Sequence, residues 1–345
     1  MKKFVLCMAI LISTVLSACS TDTMQTEQQS LSAPVSTTEM EKPLETFSSE
    51  EGKKVTFEAI PDDYFAEIDN KGRLERINYE SESGSKYAYV YLPYGYDEND
   101  SEQKYDILYL MHGGGGSADT YMGSDSNPNT FKNVIDHMID NKDVEPLILV
   151  MPSFYPTGDS DSSVSNAAQL TEKFHEELVG ELIPAVEGKY HTYAESTDIQ
   201  GLQSSRKHRA FGGFSMGSVT TWYTFIYCLD YFHTFLPASG DCWVMGQMGG
   251  NAYSEETAEY LANAAIRSGY SKDDFRIYAA TGTEDIAYEN LSKQVDAMKS
   301  YTDTFEYSTS LGQGNFYFNL AEGGVHTMAA AYNYVYDGLL AMYPG

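Results

Sequence analysis

The sequence predicts an α/β domain, a mostly parallel central sheet with helices on both faces. Three observations carry that expectation. Short continuous apolar runs such as "DILYLM" and "LILVM" read as strands buried on both faces. Segments long enough for helices separate these runs. Strand and helix then alternate to the end of the chain, as the crossovers of a parallel sheet require.

Taken in order, "RLERINYES" and "KYAYVYLP", from Arg73 onward, alternate polar and apolar residues as an antiparallel opening pair. "YDILYLMH" (105–112) and "PLILVMP" (146–152) follow as buried strands. "HRAFGGFS", "HTFLPASG", "FRIYAATG" and "NFYFNLAEG" repeat that style. Between Gln169 and Tyr190, the residues Leu170, Phe174, Leu178, Leu182 and Val186 recur every four positions, which predicts one helix with a kink at Pro184. Met216 to Leu229 is apolar, but Val219, Thr220 and Thr221 are weak helix formers, so burial must hold that helix. No internal repeat is present, and one domain over residues 53–345 accommodates every element.

Ahead of the domain, Lys2 and Lys3 precede an apolar run from Phe4 to Leu16, too short to span a bilayer and suited to an export signal. Leu16-Ser17-Ala18-Cys19 resembles a bacterial lipoprotein signal, with residues 1–18 removed and Cys19 lipidated; an ordinary secretory signal is the alternative. Residues 19–52, rich in Ser, Thr and Glu, are expected to form a disordered tether, so the chain meets a membrane only through its N-terminal lipid anchor. With 50 acidic against 22 basic residues, the net charge is −28, which argues against nucleic acid and anionic lipid as partners. Cys228 and Cys242 are too few for a disulfide framework and are not spaced as zinc ligands; they form one bridge or remain buried thiols.

The chemistry concentrates at "RAFGGFSMGS", where Ser215 lies between Gly213 and Gly217. An apolar strand runs into this G-x-S-x-G and a helical segment runs out. That is the context of a nucleophile elbow, whose glycines let strand and helix backbones pass closely. A serine so placed needs a base, and His326 is the one histidine after the last strand-like run, in the loop broken by Gly323 and Gly324. The acid that orients it belongs in the loop after "RIYAATG", where Glu284 and Asp285 both stand; the shorter, stiffer Asp285 is preferred. The order Ser215, Asp285, His326 is that of the α/β-hydrolases. "HGGGG" after the third strand offers the Gly114 N–H as one oxyanion donor, with the Met216 N–H as the second. Phe154, Tyr155 and Trp243, in loops at strand carboxyl ends, either stack on the substrate or pack those loops onto the core.

"YDILYLMHGGGGSADTY", "FHEELVGELIPAVEGKY", "RAFGGFSMGS", "ATGTEDIAY" and "GGVHTMAAAYNYVY" together resemble carbohydrate esterase family 1, over roughly Arg73 to Met342. The resemblance implies a single α/β-hydrolase domain and the same Ser215, Asp285, His326, Gly114 and Met216 assignments. It further implies a serine carboxylesterase that removes feruloyl or acetyl groups from esterified plant polysaccharide, xylan above all, with no metal or cofactor. Alternatives in the same fold are a siderophore esterase, a thioester hydrolase or a mycolyl-type acyltransferase. Outside enzymes, the alternative is a non-catalytic carbohydrate-binding lipoprotein.

Overall fold

The computed structural model describes residues 52–157 and 166–345. The expected signal segment, Cys19, nearly all of the tether and residues 158–165 of the loop after the fourth expected strand lie outside them.

Strands β1 (Arg73–Ser81), β2 (Gly84–Leu92) and β3 (Asp106–Met111) open the domain. A minor hairpin, β4 (Gly123–Ser124) with β5 (Asn127–Pro128), leads to helix α1 (Thr130–Asp140) and strand β6 (Leu147–Met151). Helices α2 (Ala167–Glu177), α3 (Ile183–Glu187) and α4 (Ile199–Ser204) precede β7 (Arg209–Phe214) and α5 (Met216–Tyr227). The remaining units are β8 (Thr234–Ala238) with α6 (Ser254–Arg267), β9 (Arg276–Gly282) with α7 (Tyr288–Met298), and β10 (Phe316–Ala321) with α8 (Met328–Met342).

Eight strands form one sheet in the order β1-β2-β6-β3-β7-β8-β9-β10. The β1/β2 and β2/β6 pairs are antiparallel, and every later pair is parallel. Alternation in β3 explains why an unbroken apolar run is required: Ile107, Tyr109 and Met111 join one core cluster, Leu108 and Leu110 the other. The first cluster packs under α2, α5, α6 and α7, the second under α1 and α8. The six parallel strands therefore present all their carboxyl ends at one edge, where open α/β sheets place their sites.

Two helices show how sequence and packing negotiate. In α5, the Thr220, Thr221 and Thr224 hydroxyls donate to the carbonyls of Met216, Gly217 and Thr220, four residues back, so these residues satisfy themselves inside a buried helix. The expected continuous helix over 169–190 is instead α2, a π turn over Leu178–Leu182, and α3. Pro184 has no N–H for the Gly180 carbonyl, and the chain absorbs the loss upstream, where the Ile183 N–H reaches Leu178 O. Cys228 and Cys242 are both buried free thiols.

Three groups, His112 and Asp337 buried and His233 part-buried, make stability depend on pH. Burial drives His112 down to about 4 and His233 down to about 3, from an ordinary 6.5. Burial pushes Asp337 up to about 8 from 3.8, while its carboxylate receives the Glu58 N–H and the Asn319 amide. The unfolded chain binds more protons at the histidines below about 6.5, so acid costs stability there. The folded chain binds more protons at Asp337 between 3.8 and 8, so that contribution declines as the pH rises. Above about pH 6.5 the histidine contributions are complete, and of these three groups only Asp337 still changes. Asp337→Asn should remove on the order of 2 kcal/mol of decline between pH 6.5 and 8. Melting curves over that range check it, and an unchanged slope in the variant contradicts it.

Candidate active site

Ser215 sits at the corner between β7 and α5 with φ 59° and ψ −119°, a left-handed conformation that costs a non-glycine residue energy. The surroundings impose it. The Ser215 N–H donates to Ala238 O at 2.9 Å and its carbonyl accepts from Val219 N at 3.1 Å. A Cβ on Gly213 would stand 2.6 Å from the Gly217 carbonyl and from Met111 O. A Cβ on Gly217 would strike Met111 O and come within 2.8 Å of His112 O. All of these are backbone atoms that cannot swing aside. Gly217→Ala is therefore expected to destabilise by about 3 kcal/mol or more, or to prevent folding. Gly180→Ala, with open space at its Cβ, should be neutral or stabilising by about 0.5–1 kcal/mol. Denaturant titration of the pair checks the contrast.

The structure brings the serine, the histidine and one carboxylate into a single chain of contacts. His326 Nε2 lies 2.9 Å from Ser215 Oγ, and His326 Nδ1 lies 2.8 Å from Asp285 Oδ1. The same Oδ1 accepts the Ala287 N–H at 2.8 Å, which fixes the carboxylate against its own loop. Asp285's side chain is fully buried, whereas His326's is 20% exposed. The Phe214 ring lies 4.5 Å from the imidazole, centroid to centroid, and supports it from the β7 side. Glu284, the alternative acid, is exposed at the loop surface. Because a carboxylate only accepts, Nδ1 carries the proton and Nε2 is free to take one from Ser215.

Beside the serine, the glycine run after β3 wraps the corner. Gly113's missing Cβ would lie 3.2 Å from Ser215 Cβ, and Gly114's would lie 2.9 Å from Met216 Sδ. The Gly115 N–H is taken by the Tyr155 hydroxyl and the Gly116 N–H by Gly113 O. Met216 is the first residue of α5, where helix N–H groups have no internal partner. A hydroxyl with a histidine base, a buried orienting carboxylate and neighbouring backbone donors can carry out acyl transfer.

The Esterase family model matches residues 84–332, a span that holds every group just described. The chain belongs to the Esterase family. It is a carboxylic ester hydrolase. It is 42% identical over 300 residues to endo-1,4-beta-xylanase Y of Acetivibrio thermocellus, a match covering 87% of this chain and 25% of that protein. The chain thus spans about a quarter of that relative's length. A solved feruloyl esterase module from Clostridium thermocellum, complexed with sinapinate, is 40% identical over 85% of this chain and 95% of that one, with a TM-score of 0.73. A ferulic acid esterase from the anaerobic fungus Anaeromyces mucronatus, at 17% identity over 82% of this chain and 97% of that one, shares the fold with a TM-score of 0.59.

In this esterase the three expected aromatic residues divide. Phe154 and Tyr155 are only 3% and 2% exposed, and both rings pack on His112, at 4.6 and 5.6 Å. That burial and the contact with His112 fit the second alternative, in which both rings pack the loops onto the core. Trp243 is part-exposed, and its indole N–H donates to Asp241 Oδ1 at 3.2 Å. Asp241, buried itself, also accepts the Gly250 N–H and so shapes the loop after β8. Sequence reasoning did not single out the exposed apolar side chains Ile286 and Val325, next in the chain to Asp285 and His326, or Met245 and Met248 on the loop after β8.

Proposed function

We propose that this esterase hydrolyses hydroxycinnamoyl esters of plant cell-wall xylan through an acyl-enzyme on Ser215. His326 Nε2 removes the Ser215 hydroxyl proton as Oγ attacks the ester carbonyl, and Asp285 stabilises the imidazolium. The N–H groups of Gly114 and Met216 hold the resulting oxyanion. Collapse breaks the bond to the sugar oxygen, which leaves with the proton from His326. Water, deprotonated by the same nitrogen, then attacks the acyl-serine; the acyl–Oγ bond breaks, Ser215 Oγ takes the proton back from His326, and the carboxylic acid is released. What carries this reading is the unbroken chain from Ser215 through His326 to the buried Asp285, at 2.9 and 2.8 Å.

Support for an aromatic acyl group comes from the exposed apolar side chains Ile286 and Val325 and from the likeness to the sinapinate-bound feruloyl esterase module. Support for a wall polysaccharide comes from the xylanase that carries a matching region. The same reading places the chain outside the cytoplasm, anchored through Cys19 behind the signal-like residues 1–18. Release of acid from methyl ferulate and from acetylated xylan, measured side by side, tests the substrate. Ferulate release supports the proposal, while acetate release alone replaces it with an acetyl xylan esterase.

A further inference from the structure

His112 is buried beside the site, yet no step of the proposed chemistry uses it. Its Nδ1 lies 2.7 Å from Gly113 O and its Nε2 2.8 Å from Ser153 Oγ. A carbonyl oxygen only accepts, so Nδ1 carries the ring proton and donates it to Gly113 O. Burial keeps the ring neutral, with its pKa down at about 4, so Nε2 is an acceptor and the Ser153 hydroxyl donates to it. Ser153 is itself held twice. Its Oγ accepts the Tyr155 N–H at 3.1 Å, and its carbonyl accepts from Lys86 Nζ at 2.8 Å. Lys86, whose side chain is fully buried on β2, is paired with Glu177 at the end of α2. A buried ammonium is costly unless paired and hydrogen-bonded, and here it ties β2 and α2 to the loop after β6.

Gly113 O and the Gly114 N–H belong to one peptide unit. In a trans amide they point in opposite directions, so a donor that grips the carbonyl sets the direction of the N–H. The next unit is pinned as well, because the Gly115 N–H donates to Tyr155 OH at 3.0 Å. Both peptide units around Gly114 are therefore fixed by side chains anchored in the loop after β6. Gly113 O also accepts the Gly116 N–H at 3.1 Å, so the turn and His112 grip the same carbonyl, and the glycines add no side-chain packing of their own.

We propose that His112, held by Ser153, is the positioning residue that aims the Gly114 N–H at the ester carbonyl. The inference rests on the reading of Gly114 as an oxyanion donor. The hydrogen bond to Gly113 O also polarises the amide and strengthens its N–H as a donor.

The test compares Ser153→Ala, His112→Leu and His112→Asn with the wild-type chain. The readouts are kcat and KM on methyl ferulate, inhibition by an arylboronic acid that forms a tetrahedral adduct with a serine hydroxyl, and binding of ferulate. Ser153→Ala should lower kcat roughly 10-fold and His112→Leu about 100-fold, with KM within about twofold. Boronate affinity should weaken by the same factors while ferulate binding holds. His112→Asn, whose amide keeps a donor near the place of Nδ1, should recover most of the loss. Should His112→Leu fail to fold, Ser153→Ala decides. Folded variants that keep kcat and boronate affinity within twofold overturn the proposal, as does an equal loss of ferulate and boronate binding. Boronate inhibition that survives in Ser215→Ala instead overturns the acyl-serine reading beneath it.

Discussion

Replacing Ser215 by alanine is expected to lower kcat by roughly 10³- to 10⁶-fold while the fold survives. Alanine removes the hydroxyl that His326 Nε2 contacts and leaves the imidazole, its carboxylate and the glycine loop in place. Ser215→Gly should be equally inactive but more stable than Ser215→Ala. The backbone at this position holds φ 59° and ψ −119°, and glycine adopts it without the strain that any Cβ brings. Turnover and melting temperature measured on both variants check the pair. A Ser215→Ala protein with near wild-type turnover contradicts the first expectation, and equal melting temperatures contradict the second.

Asp285→Asn is expected to cost about 10⁴-fold in kcat. The carboxylate is fully buried, and its Oδ1 accepts from both His326 Nδ1 and the Ala287 N–H. Asparagine must keep its carbonyl towards the Ala287 N–H or turn it away. If its amide N–H₂ faces Nδ1, the imidazole is driven to the tautomer with the proton on Nε2, which cannot accept from Ser215. Glu284→Gln should leave turnover unchanged, because that side chain is exposed at the loop surface. Kinetics of the two variants side by side separate the neighbouring acids. A larger loss in Glu284→Gln reverses the assignment.

The serine, histidine and aspartate were legible because each stands where a recognisable strand stops. Phe214, Gly282 and Ala321 close three parallel strands at one edge, so residues just past them share a neighbourhood however far apart they lie in the chain. Backbone crowding left its trace too, in the glycines at 213 and 217. Ser153 and Lys86 left none. Lys86 reads as one more polar residue in an alternating strand, and only the packing of α2 over β2 turns it inward. Phe154 and Tyr155 show the same limit: an aromatic ring in a loop serves substrate or core equally well until its neighbour, here His112, is known. Asp337 reads as the polar face of α8, but the segment through Glu58 and Ile60 covers it, and Asn333 holds the Ile60 N–H there. The π turn before Pro184 was hidden because proline signals a break without saying which turn will absorb it.

The most direct test of acyl transfer at Ser215 is the intact mass of the protein after reaction with an aryl phosphonate ester, followed by peptide mapping. One adduct per chain is expected, on the peptide that contains Ser215, with loss of esterase activity in proportion to labelling and no adduct in Ser215→Ala. An adduct on another residue, or a fully labelled Ser215 in a protein that still cleaves methyl ferulate, would contradict it.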